Sequence, residues 1–80
     1  MRHRVACDYL TVNLVRHRAG HPPLCPAHFV NAYRPHETES DHIEMTRQIR
    51  TSLGGVLRGE CGCGAAAFLP IEARNGRESA

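Results

Sequence analysis

Apolar residues fall into short groups separated by polar or Gly- and Pro-marked stretches. In residues 3–16, Val5, Cys7 and Tyr9 alternate with Ala6 and Asp8, and Val12, Leu14 and Val15 extend the run. That period near two predicts a strand. The segment Arg16-His17-Arg18-Ala19-Gly20-His21-Pro22-Pro23 is a polar turn. Leu24 and Cys25 then return toward the same core, so residues 11–25 read as a loose β-hairpin. Pro26 suits the first turn of a helix, where its missing N–H costs nothing. Phe29, Val30 and Tyr33 predict the buried side of a short helix ending before Pro35.

After a polar loop, Asp41-x-x-Glu44 resembles a capping box, with Thr38 or Ser40 as competing caps. Ile43, Thr46, Ile49, Leu53 and Val56-Leu57 recur at spacings of three and four. This stripe predicts an amphipathic helix over about 41–53, closed by Gly54-Gly55. Residues 58–64, Arg-Gly-Glu-Cys-Gly-Cys-Gly, read as a tight loop rich in residues that tolerate positive φ. Residues 65–71 fit either a short strand or a helical turn, and 73–80 read as a disordered polar tail.

Length limits what this pattern can build. Eighty residues make one small domain; a chain this short buries a modest fraction of its surface, and small scaffolds usually need a disulfide, a metal or a partner. No stretch approaches the ~20 apolar residues of a membrane span. Asp8, Asn13 and Arg16 interrupt the only candidate signal sequence, which implies a cytoplasmic chain with reduced cysteines. Six His and four Cys are then a heavy load of metal ligands, and metal ligation outranks a two-bridge disulfide framework.

The strongest local signal is Cys25-Pro26-Ala27-His28, two ligands that can grip one Zn²⁺ from a turn opening into a helix. Cys61-Gly62-Cys63 supplies two sulfurs in a loop able to curl around an ion, and Cys7 is a fifth candidate. A tetrahedral site needs four. Cysteine, a hairpin-sized gap, then Cys-x-x-His at a helix start is also the layout of a treble-clef zinc finger. Through Cys7-Asp8, Val12-x-Leu14, Gly20, Leu24-Cys25 and His28-Phe29, residues 7–33 resemble small actinobacterial and actinophage zinc-finger proteins. That family's second knuckle cysteine falls at Leu10, so the resemblance implies either a metal-free finger or a ligand borrowed from elsewhere, for which Cys61 and Cys63 are available. The favoured set is Cys7, Cys25, His28 and one or both of Cys61 and Cys63. The expected fold is therefore a small α+β zinc-stapled domain over 1–72: a β-hairpin, a short helix, a longer amphipathic helix and a C-terminal Cys loop.

Catalysis is not expected. His36-Glu37 lacks the second His of a zincin because position 40 is Ser, and Cys61-x-Cys63 is not the Cys-x-x-Cys of thioredoxin-like sites. His21-x3-Cys25-x2-His28 echoes the motif of zinc-associated anti-sigma factors, but Pro22-Pro23 forbids the helix that motif occupies. Two binding roles follow instead. If part of the 43–57 stripe stays exposed, it docks another protein or a second copy of the chain. Alternatively, Arg2 and Arg4, Arg16 and Arg18, and Arg47 and Arg50 contact nucleic-acid phosphates, the two Arg-His-Arg tripeptides merging into one patch. A net charge of only +2 favours the protein partner. A third role is a zinc–thiolate switch in which oxidation of Cys61 and Cys63 releases the metal. No small-molecule substrate is evident. The ten arginines without a single lysine suggest a GC-rich genome.

Overall fold

The computed structural model describes residues 4–74; Arg2 and residues 75–80 of the expected tail lie outside them. The chain is a small α+β domain: helices α1 (Arg4–Arg18), α2 (Pro26–Tyr33) and α3 (Glu39–Ser52), then strands β1 (Val56–Glu60) and β2 (Ala66–Pro70). The hairpin, the short helix and the longer helix are all present, but the hairpin closes the chain instead of opening it. No helix among the described residues is long and apolar enough to cross a membrane.

Residues 3–16 are the main correction, because they form α1 and not a strand. The alternation of Val5, Cys7 and Tyr9 coincides with a second pattern, Val5, Ala6, Tyr9 and Asn13, which is the set α1 buries. Spacings of one, four and eight place those four on one helical face. Arg16, His17 and Arg18 complement the negative end of the helix dipole. Gly20, at φ +85°, then stops the helix. His21 N–H donates to Arg16 O (2.8 Å) and Gly20 N–H to His17 O (3.0 Å), the two bonds of a Schellman end. The stretch read as a hairpin turn is thus a helix terminus.

Helix α2 starts where expected, with Cys25 as N-cap in extended conformation and Pro26 at the first helical position. Phe29 and Val30 are fully buried. Tyr33, expected beside them, is half-exposed and stacks on Phe29 instead, with ring centroids 5.2 Å apart. Helix α3 begins two residues before the expected start because Thr38 wins the competition for the cap: its hydroxyl accepts from Asp41 N–H at 3.1 Å. Thr38→Ala should therefore lower stability by about 1 kcal/mol, read as a small shift in the thermal midpoint; an unchanged midpoint would deny the cap its role.

Ile49 is the fully buried residue of α3, whereas Ile43 is 66% exposed. The stripe does not run on into Val56-Leu57, which belong to β1. Antiparallel pairing matches Leu57 with Leu69 and Gly59 with Ala67. Residues 61–65, with Gly64 at φ +93°, make the tight connection. The main core gathers Val5, Tyr9, Phe29, Val30 and Ile49. A second, smaller cluster consists of Cys25, Cys61 and Ala67 under Leu24. Ala73, at the start of the expected tail, is buried, and the backbone at 72–74 is helical.

Candidate metal centre

Two tight backbone features bring the ligands together. The first is the start of α2: Cys25 at the N-cap and His28 three residues on share one side of the first turn. The second is the turn of the β-hairpin. Cys61 N–H donates to Ala65 O (2.9 Å) and Gly64 N–H to Cys61 O (2.8 Å), which curls Cys61 and Cys63 toward one point. One residue pair thus comes from a helix start and the other, more than thirty positions later, from a β-turn.

The Sγ atoms of Cys25, Cys61 and Cys63 and a ring nitrogen of His28 all lie within 4.8 Å of one another. His28 Nδ1 is 3.3 Å from Cys61 Sγ and 3.5 Å from Cys25 Sγ, and the Cys25 and Cys63 sulfurs are 3.9 Å apart. A regular tetrahedron with Zn–S of ~2.3 Å and Zn–N of ~2.05 Å has edges of about 3.8 Å (S–S) and about 3.5 Å (S–N). These three separations are close to those edges, and the rest lie within 4.8 Å. The four residues therefore fit one tetrahedral ion, and all four cysteines of the chain are free of disulfides.

The electrostatics suit a cation. Burial pushes the Cys25 thiol up, partly offset by the His28 backbone N–H directed at its sulfur. Burial acts in the same direction on Cys61, but backbone N–H groups of Cys63 and Cys25 and the His28 side chain outweigh it and hold Cys61 down at about 6. These contacts favour the thiolate of Cys61, whose sulfur lies in the cluster. Cys25 and Cys61 are buried, whereas His28 and Cys63 reach the surface. One wall of the site is packed on the second core cluster and the other faces solvent.

Of the five expected ligands, the structure unites four and leaves out Cys7. Helix α1 carries it on an exposed face, beside a shallow groove shared with Leu10, Thr11, Leu14 and Pro70. The helix resolves the excess of candidates: with both Cys61 and Cys63 in reach, the site is complete without a ligand from the first segment. The arginines are corrected too. Arg4 and the Arg16–Arg18 pair sit at opposite ends of α1, about 20 Å apart at 1.5 Å per residue, so Arg4 does not join them in one patch; Arg2 lies outside the described residues. Arg16 Nε donates to Pro22 O at 2.8 Å, and Arg47 pairs with Glu44 on α3.

Two residues not singled out as functional hold the site in place. Asn13 is fully buried on α1. Its Oδ1 accepts from Leu24 N–H (2.9 Å), and its Nδ2 donates to Leu24 O (3.1 Å) and to Phe68 O (2.7 Å). One turn earlier, the Tyr9 hydroxyl donates to Leu24 O (2.7 Å) and accepts from Phe68 N–H (3.0 Å). Leu24 immediately precedes Cys25, and Phe68 lies on the strand leaving the Cys61–Cys63 turn. Tyr9 and Asn13 thereby fix both halves of the ligand set to one helix.

Fold and site define a small α+β domain with a Cys₃His cluster that could hold a metal ion. Comparison with known protein families, curated proteins and solved structures finds no match.

Proposed function

We propose that this chain is a small, non-enzymatic zinc-binding module whose metal is structural and whose role is to present a surface to another protein or to a second copy of itself. The observation that carries the reading is the mutual approach of Cys25, His28, Cys61 and Cys63 to within 4.8 Å, with three of the separations close to tetrahedral edges. Three sulfurs and an imidazole select a borderline-soft ion over Ca²⁺ or Mg²⁺, and tetrahedral preference favours Zn²⁺. Four protein ligands close the coordination sphere, whereas a catalytic zinc keeps a position for water. Neither the depression lined by His17, Gly20, His21, Pro22 and Pro23 nor the groove beside Cys7 includes any of the four ligands. A reducing cytoplasm keeps such thiolates available. From the treble-clef resemblance the reading retains the Cys-x-x-His at a helix start; the sulfurs that complete it come from the hairpin turn.

Metal analysis of the purified protein tests this. One zinc per chain is expected in the parent and in Cys7→Ala, with loss of stoichiometric zinc in Cys25→Ala and Cys61→Ala. Full zinc content in Cys25→Ala, or none in the parent, would overturn the reading.

A further inference from the structure

The hairpin has one edge covered and one open. In an antiparallel ladder a residue's N–H and C=O point to the same side, and the side alternates along the strand. Both backbone groups of Phe68 turn away from β1, toward Tyr9 and Asn13. Cys61 N–H, by contrast, bonds to Ala65 O inside the hairpin. The strand register pairs Arg58 with Phe68 and Glu60 with Ala66. It follows that Leu57, Gly59 and Cys61 spend their backbone groups on β2, while Val56, Arg58 and Glu60 point theirs outward. Helix α1 closes the outer side of β2. Nothing among the described residues donates to or accepts from the outward groups of β1. An unpaired edge of this kind is a template for another strand.

Its side chains choose the occupant. Arg58 and Glu60 are both exposed, lie on the same face of the strand and carry opposite charge. Consider two copies of β1 running antiparallel about a two-fold axis at Gly59. Each Arg58 then faces the partner's Glu60 in a hydrogen-bonded pair, twice over, giving four backbone hydrogen bonds and two cross-strand ion pairs. Shifting the axis to Arg58 would set arginine against arginine, so charge selects the register. We propose that the chain forms a two-fold dimer through β1, making a continuous four-stranded sheet in which Arg58 and Glu60 of the two copies pair across the axis. This inference names the surface and the partner of the binding role proposed above, and it needs the hairpin folded but not the identity of the metal. An interface built on one five-residue strand per copy is small, so the dimer is a concentration-dependent one.

Sedimentation equilibrium, with zinc content measured on the same samples, tests it. The parent should shift from monomer to dimer as concentration rises. Arg58→Glu sets like charges at both pairs and should weaken association about tenfold or more with zinc content unchanged. Adding Glu60→Arg to Arg58→Glu should restore dimerisation. Arg58→Pro removes an outward N–H that the β1–β2 ladder does not use, and should leave a zinc-loaded monomer. A zinc-loaded parent that stays monomeric overturns the dimer alone. So does a dimer indifferent to both Arg58→Glu and Arg58→Pro. A zinc-free parent that dimerises and obeys the charge swap upholds the pairing while refuting the metal reading. A zinc-free monomer refutes both.

Discussion

Stripping the metal with a chelator should abolish the cooperative unfolding transition of this domain. The second core cluster consists of two of the ligands, Cys25 and Cys61, with Ala67 beneath Leu24. Its packing therefore cannot stand in for the ion. The larger cluster contains five buried residues, Val5, Tyr9, Phe29, Val30 and Ile49, drawn entirely from the three helices. From the hairpin only Phe68 packs against that set, from a partly buried position, so on the proposed reading the hairpin depends on the metal beside this contact and the Tyr9 and Asn13 hydrogen bonds. Structural zinc contributes roughly 10–16 kcal/mol of apparent binding free energy at neutral pH, against roughly 5–15 kcal/mol for the total stability of an ordinary domain. Removing a contribution that large leaves nothing with which to offset chain entropy. Thermal scans by circular dichroism, with and without chelator, check this; an unchanged midpoint in a chelated, metal-free sample would show that the apolar core suffices. Acid should act in the same direction. Ligation requires thiolates, so protons compete with the metal as pH falls, and Cys61 itself takes up a proton below about 6 in the metal-free chain. Stability owed to the centre is thus present at neutral pH and lost on acidification.

The four residues of the candidate metal cluster were legible in the sequence because metal chemistry writes itself locally. Cys25 and His28 sit three apart behind Pro26, and Cys61 and Cys63 are interleaved with glycines, so each pair could be read without knowing the fold. Helices α2 and α3 were legible for a similar reason: a proline at the first position and a threonine cap are signals confined to one turn. Helix α1 was not, because its residues satisfy two periods at once. Val5, Cys7 and Tyr9 mimic a strand, and only the whole set Val5, Ala6, Tyr9 and Asn13 reveals the helix. The arbiter was present all the same. Arg16-His17-Arg18 followed by Gly20 is a helix end as much as a hairpin turn, and giving it that meaning removes both the false strand and the false hairpin. Cys7 fell with them, since its candidacy as a ligand depended on a β-knuckle that α1 replaces. Strand β1 was hidden because Val56 and Leu57 continue the three-and-four spacing of α3 beyond Gly54-Gly55 by coincidence.

Asn13→Ala should cost on the order of 3–5 kcal/mol. Asn13 is the one buried polar residue among the described residues, and it makes three hydrogen bonds, all to backbone. Truncation leaves Leu24 N–H and Phe68 O without their partner in a dry interior, at about 1–3 kcal/mol for each orphaned group, and it opens a cavity besides. Leu24 O keeps the Tyr9 hydroxyl, which limits the damage on that side. That support does not fade within the ordinary pH range. Burial pushes the Tyr9 phenol up to about 12, so its contribution is complete below the unfolded value near 10 and is lost only as pH rises through about 12. Asn13→Asp is the sharper variant. It preserves shape and the acceptor for Leu24 N–H, but replaces a donor by a carboxylate oxygen facing Leu24 O and Phe68 O. Two carbonyls would then meet a negative charge, and the variant should be at least as destabilised as Asn13→Ala at neutral pH, recovering part of the loss in acid as the carboxyl takes up a proton and becomes a donor. Urea unfolding at several pH values, on samples kept metal-loaded, measures both substitutions. Because Asn13 ties Leu24 on the Cys25 side to Phe68 on the Cys61–Cys63 side, the same variants should also bind zinc more weakly although every ligand is intact. Parent-like zinc affinity in a destabilised Asn13→Ala would mean that the two ligand pairs find each other without α1, and that the helix supports the fold but not the site.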